Sequence, residues 1–412
     1  MTLLKEISAC EVCGNDVLDP VLDLGSHPLC DDLVPVGDSR VCRQYPIEIL
    51  FCPHCVTAHQ RFQVPKDELF PKTYHYRSRF TADVLGGMSA LVDSCEKLLG
   101  PLSGKVVLDI GCNDASLLDF FKRKGAVTVG LEPTGAYADG LGKGHALYNG
   151  FLSTSTASEI RAKHGSPDIV TFTNVFAHIE NLPEVLAALK SVMSPATVFV
   201  IENHHLGAVL DRCQFDTFYH EHPRTYSLSS FRQIAKDLGV ALSAAEFPSR
   251  YGGNIRVFMN VPAAGDESVG AVDAALREER LYGAKFAQMR SNVELWKSSI
   301  SGRIEELRRV HGRKLSAKAF PGRAAILVRL LGVDSDVVEA VYEKPGSMKI
   351  GHYVPGTRIP IRSDDELFSR PPPVLLNLAW HISGEIRTYL EQHGYAGEVV
   401  DILDPQAFSG RG

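Results

Sequence analysis

The 412-residue sequence has no apolar run that approaches the about 20 residues needed to cross a membrane. It begins Met-Thr-Leu-Leu-Lys-Glu and lacks the basic stretch followed by a longer apolar stretch that marks a signal peptide. Lysine and arginine form no stripe, and 43 basic against 49 acidic side chains give a net charge of -6, so nothing attracts a phosphate polymer. We therefore expect a cytoplasmic protein with neither a membrane nor a nucleic acid as its partner.

The length exceeds what one hydrophobic core usually holds, so two or three domains are expected. Hydrophobic residues make up 44% of the chain and the mean hydropathy is -0.04, which is typical of a globular protein. The composition favours a modular enzyme.

Nine cysteines are an odd number and do not suggest a disulfide framework. Four of them form two Cys-x-x-Cys pairs, Cys10 with Cys13 and Cys52 with Cys55. Two such turns can place four thiolates around one tetrahedral zinc, whereas two redox pairs are the alternative. A four-sulfur site is closed, so this zinc would staple a small lobe and take no part in catalysis. The other thiols are expected to be ordinary buried ones: Cys30, Cys42, Cys95, Cys112 and Cys213.

The middle of the chain alternates between apolar runs and helical periodicity. The runs 106–110, 127–131, 168–172 and 197–201 predict strands, and amphipathic segments between them predict helices. This pattern indicates a parallel, doubly wound sheet, in which ligands bind at the carboxyl ends of the strands.

The loop after the first of these strands has only Gly111 where a dinucleotide fold would show three glycines. Asp109 precedes that glycine, and Glu132 ends the next strand at about the 20-residue spacing of a carboxylate that binds ribose hydroxyls. A loop with little provision for phosphates favours an adenosine-bearing ligand without them. We expect S-adenosylmethionine.

Tyr219-His220-Glu221-His222 places a phenol, two imidazoles and a carboxylate in consecutive positions. This composition indicates proton transfer at the edge of a cleft, although a purely structural origin is equally open. An extended chain would put both histidines on one face. A helical turn that ends before Pro223 would instead bring Tyr219 and His222 together.

Two further segments are informative. The polar aromatic stretch 70–78, which includes Tyr74 and Tyr76, either lines a pocket or packs one lobe on the next, and a helix follows from about 80 to 99. Towards the carboxyl end, apolar residues from Phe286 to Leu307 recur at helical spacing, which favours a helix packed on its own domain over an oligomer seam. Runs at 325–328, 337–341 and 374–378 then predict strands of a second open α/β sheet.

Taken together, these motifs resemble the three-domain sugar C-methyltransferases. The motifs are the paired Cys-x-x-Cys turns and the stretches 109–114, 173–179, 219–222 and 349–360. Members of that family use S-adenosylmethionine to methylate C-3 of nucleotide-linked deoxyketosugars. The resemblance covers nearly the whole chain, with the motifs in the same order.

The resemblance implies an α/β fold with a zinc-binding lobe at 1–70, a doubly wound Rossmann-like methyltransferase domain at 71–250 and a Rossmann-like α/β domain at 251–412. The last domain would carry no dinucleotide and would help to cover a nucleoside-diphosphate ketosugar, for which dTDP is the expected carrier. Oligomeric state stays open.

The resemblance also implies roles for individual residues. His222 would be the base that removes the C-3 proton, with Glu221 orienting the site and Tyr219 and His178 beside it, although the sequence alone does not rank His222 above His220. The expected cofactor-binding residues are Asp109, Gly111, Asn113, Asp114, Glu132 and Asn174. The expected substrate-binding residues are Tyr74, Tyr76, Ser78, Asn174, Arg224, Tyr251, Asn254, Lys349 and His352. Lys349 and His352 would meet the phosphates, or else belong to a solvated loop held by Pro355 and Gly356.

Two loops depart from the family pattern, at Ala115 and at the bulky stretch 320–323. The second departure affects the expected nucleotide base or sugar more than the reaction. Two competing hypotheses remain, an O- or N-methyltransferase and an inactive zinc-stapled scaffold. The intact Asp109, Gly111 and Glu132 weigh against the scaffold.

Overall fold

The computed structural model describes residues 4–70, 77–80, 82–262 and 267–408. The chain forms two compact units that alternate along the sequence. The first unit comprises Met1–Asp19, Leu50–Ala208 and Glu221–Gly283, and the second comprises Pro20–Ile49, Val209–His220 and Ala284–Gly412. The division into three domains at 70 and 250 stays a prediction. Within the described ranges, no helix is both long and apolar enough to span a membrane.

The strands are β1 Lys5–Glu6, β2 Asp19–Pro28, β3 Val34–Pro35, β4 Gln44–Cys52, β5 Thr57–Gln60, β6 Phe62–Gln63, β7 Val106–Ile110, β8 Val127–Glu132, β9 Ala146–Asn149, β10 Ile169–Thr173, β11 Val198–His204, β12 Arg224–Thr225, β13 Leu242–Glu246, β14 Asn254–Met259, β15 Leu315–Lys318, β16 Val338–Glu343, β17 His352–Tyr353, β18 Ile361–Ser363, β19 Val374–Asn377 and β20 Glu398–Asp401.

The α-helices are α1 Lys66–Leu69, α2 Ala82–Leu99, α3 Ser116–Arg123, α4 Tyr137–Gly140, α5 Thr154–His164, α6 Leu182–Val192, α7 Leu206–Asp211, α8 Leu228–Leu238, α9 Glu267–Glu278, α10 Tyr282–His311, α11 Ala324–Leu330, α12 Asp364–Ser369 and α13 Ser383–Gln392. The 3-10 turns are Ser78–Phe80, Phe176–His178, Phe215–Thr217, Arg250–Gly252, Glu279–Leu281, Trp380–Ile382 and Pro405–Phe408.

The first unit contains a seven-stranded sheet in the order β13-β14-β11-β10-β7-β8-β9. Strands β11, β10, β7, β8 and β9 run parallel, which confirms the predicted doubly wound core. Two strands that the sequence did not predict extend one edge of this sheet: β14 pairs antiparallel with β11, and β13 pairs antiparallel with β14. Because β7, β10 and β11 are parallel neighbours, their carboxyl ends meet at one edge of the sheet.

Helix boundaries in this unit follow local chemistry. Asn181 caps α6 by accepting a hydrogen bond from the backbone of Glu184, and a proline lies in the first turn. Ser227 and Ser230 form a reciprocal capping box at the start of α8. These caps satisfy backbone donors that the helices leave unpaired, so the connections after β10 and β12 have defined conformations.

The second unit contains a parallel five-stranded sheet in the order β18-β16-β15-β19-β20, which confirms the predicted second α/β sheet. The run 325–328 is not one of its strands, because it forms part of α11, in which residues 324–328 are all buried. A short apolar run cannot distinguish a buried strand from a buried helix. The sequence did not reveal β15, β18 or β20. Strand β15 ends at Lys318, whose buried ammonium pairs with Asp364 at 2.8 Å.

Helix α10 confirms the predicted apolar stripe. Phe286 and Trp296 are buried, and the Trp296 indole donates a hydrogen bond to the Ile402 carbonyl at 2.7 Å. Phe218 stacks on Phe286, and Phe215 packs on Trp296. All of these partners belong to the second unit, so the stripe is covered by its own unit, as expected.

Candidate active site and metal centre

The two Cys-x-x-Cys turns come together in the first unit. The sulfur atoms of Cys10, Cys13, Cys52 and Cys55 all lie within 4.8 Å of one another, with 3.4 Å between Cys10 and Cys55 and 3.7 Å between Cys13 and Cys52. A tetrahedral zinc with Zn–S bonds of about 2.3 Å requires sulfurs about 3.8 Å apart. The four thiols therefore fit the geometry of a closed zinc site. The remaining five cysteines are buried and form no disulfide among the described residues, as predicted.

Neighbouring donors support the sulfurs. The Nε2 atom of His59 lies 3.3 Å from the Cys10 sulfur, Thr57 Oγ1 lies 3.1 Å from the Cys55 sulfur, and the Asn15 amide donates to Cys52. His59 is fully buried. Such contacts orient thiolates and offset their negative charge, so His59 belongs to the surroundings of the metal site and not to its ligands.

The loop after β7 has the tight backbone expected of a nucleoside-binding loop. Gly111, Asn113 and Ala115 all have positive φ, at 72°, 49° and 63°. A side chain at Gly111 would place a Cβ 2.6 Å from the Val175 Cγ2 atom, so only glycine fits there. The amide of Gly111 donates to the Leu131 carbonyl at 2.7 Å, which holds the loop on the end of β8.

Glu132, at the end of β8, is buried and binds this loop. One of its carboxylate oxygens accepts from the Asn113 amide at 2.9 Å, and the other accepts from the Thr134 amide at 2.8 Å and the Thr134 hydroxyl at 2.6 Å. Asp109 lies at the end of β7 and accepts a hydrogen bond from Thr171 at 2.7 Å. Burial raises the pKa of Asp109 to about 7, although the Thr171 bond opposes the shift.

Two more of the predicted cofactor residues make contacts within the protein. Asn113 Oδ1 accepts from the Ser78 backbone at 3.1 Å, and Asp114 accepts from the Arg79 backbone at 3.0 Å. Asp114 is fully buried and also accepts from Ser116 at 2.6 Å. In this structure Asn113, Asp114 and Ser78 attach the segment before α2 to the glycine loop.

Asn174 follows β10 with a left-handed φ of 54°. Asn254 Nδ2 donates both to Glu202 at 3.0 Å and to Asn174 Oδ1 at 3.2 Å. Glu202 is fully buried and binds Arg256 at 2.7 Å and Arg250 at 3.2 Å, so its carboxylate only accepts. The Asn254 atom that faces Glu202 must therefore be its amide nitrogen. The same nitrogen donates to Oδ1 of Asn174, so the amide nitrogen of Asn174 points towards other acceptors.

Three imidazoles lie close together near the edge of the sheet where β10 and β11 end. The His178 and His222 ring centroids lie 4.8 Å apart, and those of His204 and His222 lie 5.3 Å apart. Phe70 packs edge-on against His178. His222 is only 4% exposed. The cluster places two histidines that the sequence singled out next to a third, His204, that it did not.

The tautomer of His178 follows from its partner. Its Nδ1 atom lies 2.6 Å from the Glu221 carbonyl oxygen, which only accepts hydrogen bonds. Burial lowers the pKa of His178 to about 4, although backbone hydrogen bonds oppose the shift. The neutral ring therefore carries its proton on Nδ1.

The Tyr219–His222 segment is divided between the units, because Tyr219 and His220 belong to the second and Glu221 and His222 to the first. His220 Nε2 lies 3.0 Å from the Tyr45 carbonyl of its own unit. His220 is thus held as a donor to backbone, whereas His222 contacts the other imidazoles. Neither the extended nor the helical expectation describes the segment, which forms a turn at His220 and Glu221.

Arg224 does not fit the expected role of a substrate contact. It is completely buried in β12, and its guanidinium is hydrogen-bonded within the protein. In the second unit, Lys349 donates to the Phe320 carbonyl at 2.8 Å, and His352 lies in β17, which pairs with β3. Tyr74 and Tyr76 fall outside the described residues. Tyr251 lies in a 3-10 turn, and its side chain is also outside them.

Three buried polar groups at the ends of β10, β11 and β14 have atoms without a protein partner among the described residues. They are the Thr173 hydroxyl, both amide atoms of Asn203 and the Asn254 carbonyl oxygen. Buried polar atoms are almost always paired, so such a concentration indicates a ligand or ordered water. Asn203 and His204 could have been found from the sequence, since a polar end to an apolar strand also marked Asp109.

Comparisons with known families agree with this geometry. The chain matches a zinc binding domain at 10–70, a methyltransferase domain at 82–244 and a C-methyltransferase C-terminal domain at 249–400.

Among curated proteins, the chain is 28% identical to the C-methyltransferase NovU of Streptomyces niveus, over 99% of this chain and 98% of that one. A ubiquinone biosynthesis O-methyltransferase of Escherichia coli is 34% identical over 100 residues, which is 23% of this chain and 41% of that protein. The PH0226 protein of Pyrococcus horikoshii OT3, a solved structure, superimposes with a TM-score of 0.37 at 15% identity, over 47% of this chain and 97% of that one, which is too loose to bear on function.

Proposed function

We propose that this chain, which belongs to the family of S-adenosylmethionine-dependent C-methyltransferases with a zinc-binding and a C-terminal C-methyltransferase domain, methylates C-3 of a nucleoside-diphosphate 4-keto-deoxysugar. The observation that carries the proposal is the contact of His178 and His222 beside Asn174. Carbon methylation needs a base for a C–H proton, whereas a hydroxyl or amine nucleophile needs less help.

The residues around the glycine loop fit S-adenosylmethionine. Gly111 allows close approach, Glu132 offers a carboxylate to the ribose, and Asp109 and Asn113 shape the floor of the site, while Asp114 supports the loop. The unpaired atoms of Thr173 and Asn203 lie at the carboxyl ends of the adjoining strands. When bound, the cofactor supplies an electrophilic methyl group on its sulfonium.

The chemistry at the substrate assigns roles to the histidines and to Asn174. In the proposal, a ring nitrogen of His222 removes the C-3 proton, and the electron pair moves into the C-4 carbonyl to form an enolate. The amide nitrogen of Asn174, oriented by Asn254, donates to a developing oxyanion and so lowers the barrier. His178, kept neutral by burial, packs on His222 and limits its rotation.

The substrate carrier belongs to the same proposal. We expect a dTDP-linked sugar, with Tyr219 and Glu221 near its ring and Lys349 and His352 near its phosphates. Tyr74, Tyr76, Ser78 and Tyr251 complete the expected contacts. Turnover against a panel of nucleotide sugars that differ in base and in the C-3 substituent tests the carrier and the sugar separately.

Mass spectrometry of a reaction with a 4-keto sugar nucleotide deuterated at C-3 tests the reaction class. C-methylation adds a methyl group and loses the deuterium. An O- or N-methyltransferase adds the methyl group and keeps the deuterium, and this outcome would contradict the proposal.

The base is tested by C-3 hydrogen exchange with solvent when the protein is bound to S-adenosylhomocysteine. We expect His222→Ala to abolish exchange. If His222→Ala exchanges at the wild-type rate while His178→Ala or Tyr219→Phe does not, then His222 is not the base.

A further inference from the structure

Arg224 is completely buried in β12, where it pairs with His59 of β5. Its Nε atom donates to the Tyr226 hydroxyl at 2.9 Å, one terminal nitrogen donates to Glu11, and the other donates to the Ile179 carbonyl. A planar guanidinium can serve three acceptors in different directions, which an ammonium on a flexible stem cannot do.

The acceptors belong to separate parts of the first unit. Glu11 lies between the zinc-site residues Cys10 and Cys13, and Ile179 directly follows His178. Arg224 itself comes two residues after His222. One buried side chain therefore contacts both the zinc turn and the backbone beside His178, and it belongs to the residue two positions after His222.

The backbone around Arg224 is also held at the zinc lobe. The Gln60 amide of β5 donates to the Pro223 carbonyl at 2.9 Å, and β5 carries His59, whose Nε2 lies 3.3 Å from the Cys10 sulfur. The residue after His222 is thus attached to the strand that contacts the metal-site sulfur. This leaves little freedom for the His222 backbone to move relative to the zinc turn.

We propose that Arg224 is a positioning residue that uses the zinc turn as a fixed support for the His178–His222 pair. The inference rests on the proposed function, because it assigns these histidines to C-3 deprotonation. In this proposal the zinc lobe contributes to the reaction by holding the histidine pair in place, although the lobe itself does not contact the substrate. A shift of the base by about 1 Å can cost about a hundredfold in rate, so loss of the support should lower turnover.

Two variants and one control test the inference. Arg224→Lys keeps the charge but cannot reach all three acceptors, and Glu11→Gln removes the charge from the zinc turn without removing a metal ligand. Lys5→Ala is the matched control, because Lys5 binds the other oxygen of Glu11 at 2.6 Å from an exposed position. Each protein is first assayed for one equivalent of zinc, for its unfolding midpoint and for S-adenosylhomocysteine affinity.

Among folded, zinc-replete proteins, we expect Arg224→Lys and Glu11→Gln to lower kcat and the C-3 exchange rate about tenfold or more, with cofactor affinity and KM little changed. Lys5→Ala should match the wild type. Wild-type kcat and exchange in both variants would overturn the inference. A decrease in kcat that is fully explained by a smaller fraction of folded protein would also overturn it. If Arg224→Lys does not fold, Glu11→Gln decides alone.

A substrate-free readout separates this inference from the proposed reaction. In nitrogen-15 spectra of the histidine rings, the His178 and His222 signals should shift in Arg224→Lys and Glu11→Gln but not in Lys5→Ala. If the wild type fails to exchange the C-3 hydrogen, the proposed function is wrong, and unchanged ring signals would independently refute the positioning role.

Discussion

Replacement of Glu132 by alanine should weaken binding of S-adenosylhomocysteine through the loss of one charged hydrogen bond. A carboxylate has about four acceptor positions. Asn113 and Thr134 occupy three of them in this structure, so about one remains for a ribose hydroxyl. A hydrogen bond to a charged group contributes about 1.5–3 kcal/mol, which corresponds to a Kd increase of about 10-fold to 150-fold.

Calorimetry with the ligand and its 2′-deoxy and 3′-deoxy analogues separates this bond from support of the loop. If Glu132 binds the ribose, the wild type discriminates against one deoxy analogue and Glu132→Ala does not. Thr134→Val is the control, because it removes a hydroxyl that binds the same carboxylate and should preserve the discrimination. An equal loss of affinity for all three ligands in Glu132→Ala would show that the carboxylate only supports the Asn113 amide.

Other predictions concern the metal, the loop and pH. Cys52→Ser should lose zinc and lower the thermal midpoint, since an open thiolate site loses much of its folding energy, and elemental analysis that finds full zinc in a fully stable variant would contradict the assignment. Gly111→Ala should destabilise the fold by about 1–3 kcal/mol in urea unfolding, because φ is 72° and the new methyl group would clash with Val175. Gly142→Ala is the control, because φ is 80° there and the space is open, so only the strain of a left-handed backbone should destabilise it. Burial lowers the pKa of both His178 and His220 to about 4. At these two rings the unfolded chain binds protons that the folded chain does not, so they contribute a fall in stability of up to about 2.7 kcal/mol per pH unit as pH drops from about 6.5 to 4, whereas Asp109, whose pKa burial raises to about 7, contributes in the opposite direction. His220→Gln should reduce the contribution of the two histidines by about half, measured as unfolding free energy against pH.

The zinc ligands and the glycine loop were predictable from sequence because each depends on residues close together in the chain. A Cys-x-x-Cys turn needs no distant information, and Asp109 and Glu132 end apolar strands at a spacing set by one strand-helix-strand unit. Local sequence also misled the prediction that 325–328 is a strand. A fully buried run of four residues has no hydrophobic periodicity that distinguishes a strand from the helix α11.

The histidine cluster depends on tertiary structure. His204 ends β11, whereas His222 follows a turn and is separated from His204 in the chain by a segment of the second unit, so no sequence spacing relates the two residues. Arg256 was equally hard to interpret, because a charge in an apolar stretch argues against a buried strand until its partner Glu202 is known. The antiparallel edge of the sheet was missed for that reason.

Cys10, Val12, Cys52 and Cys55 belong to the same apolar cluster as Phe176 and residues of the central strands. A shortened protein that begins at the methyltransferase domain would therefore expose part of its own interior. Exchange of catalytic domains between relatives would face the same difficulty, because the zinc turns would have to be transferred with the sheet that they cover. In cells short of zinc, the supply of metal would then limit how much of the whole first unit matures, so metal availability would control the amount of enzyme.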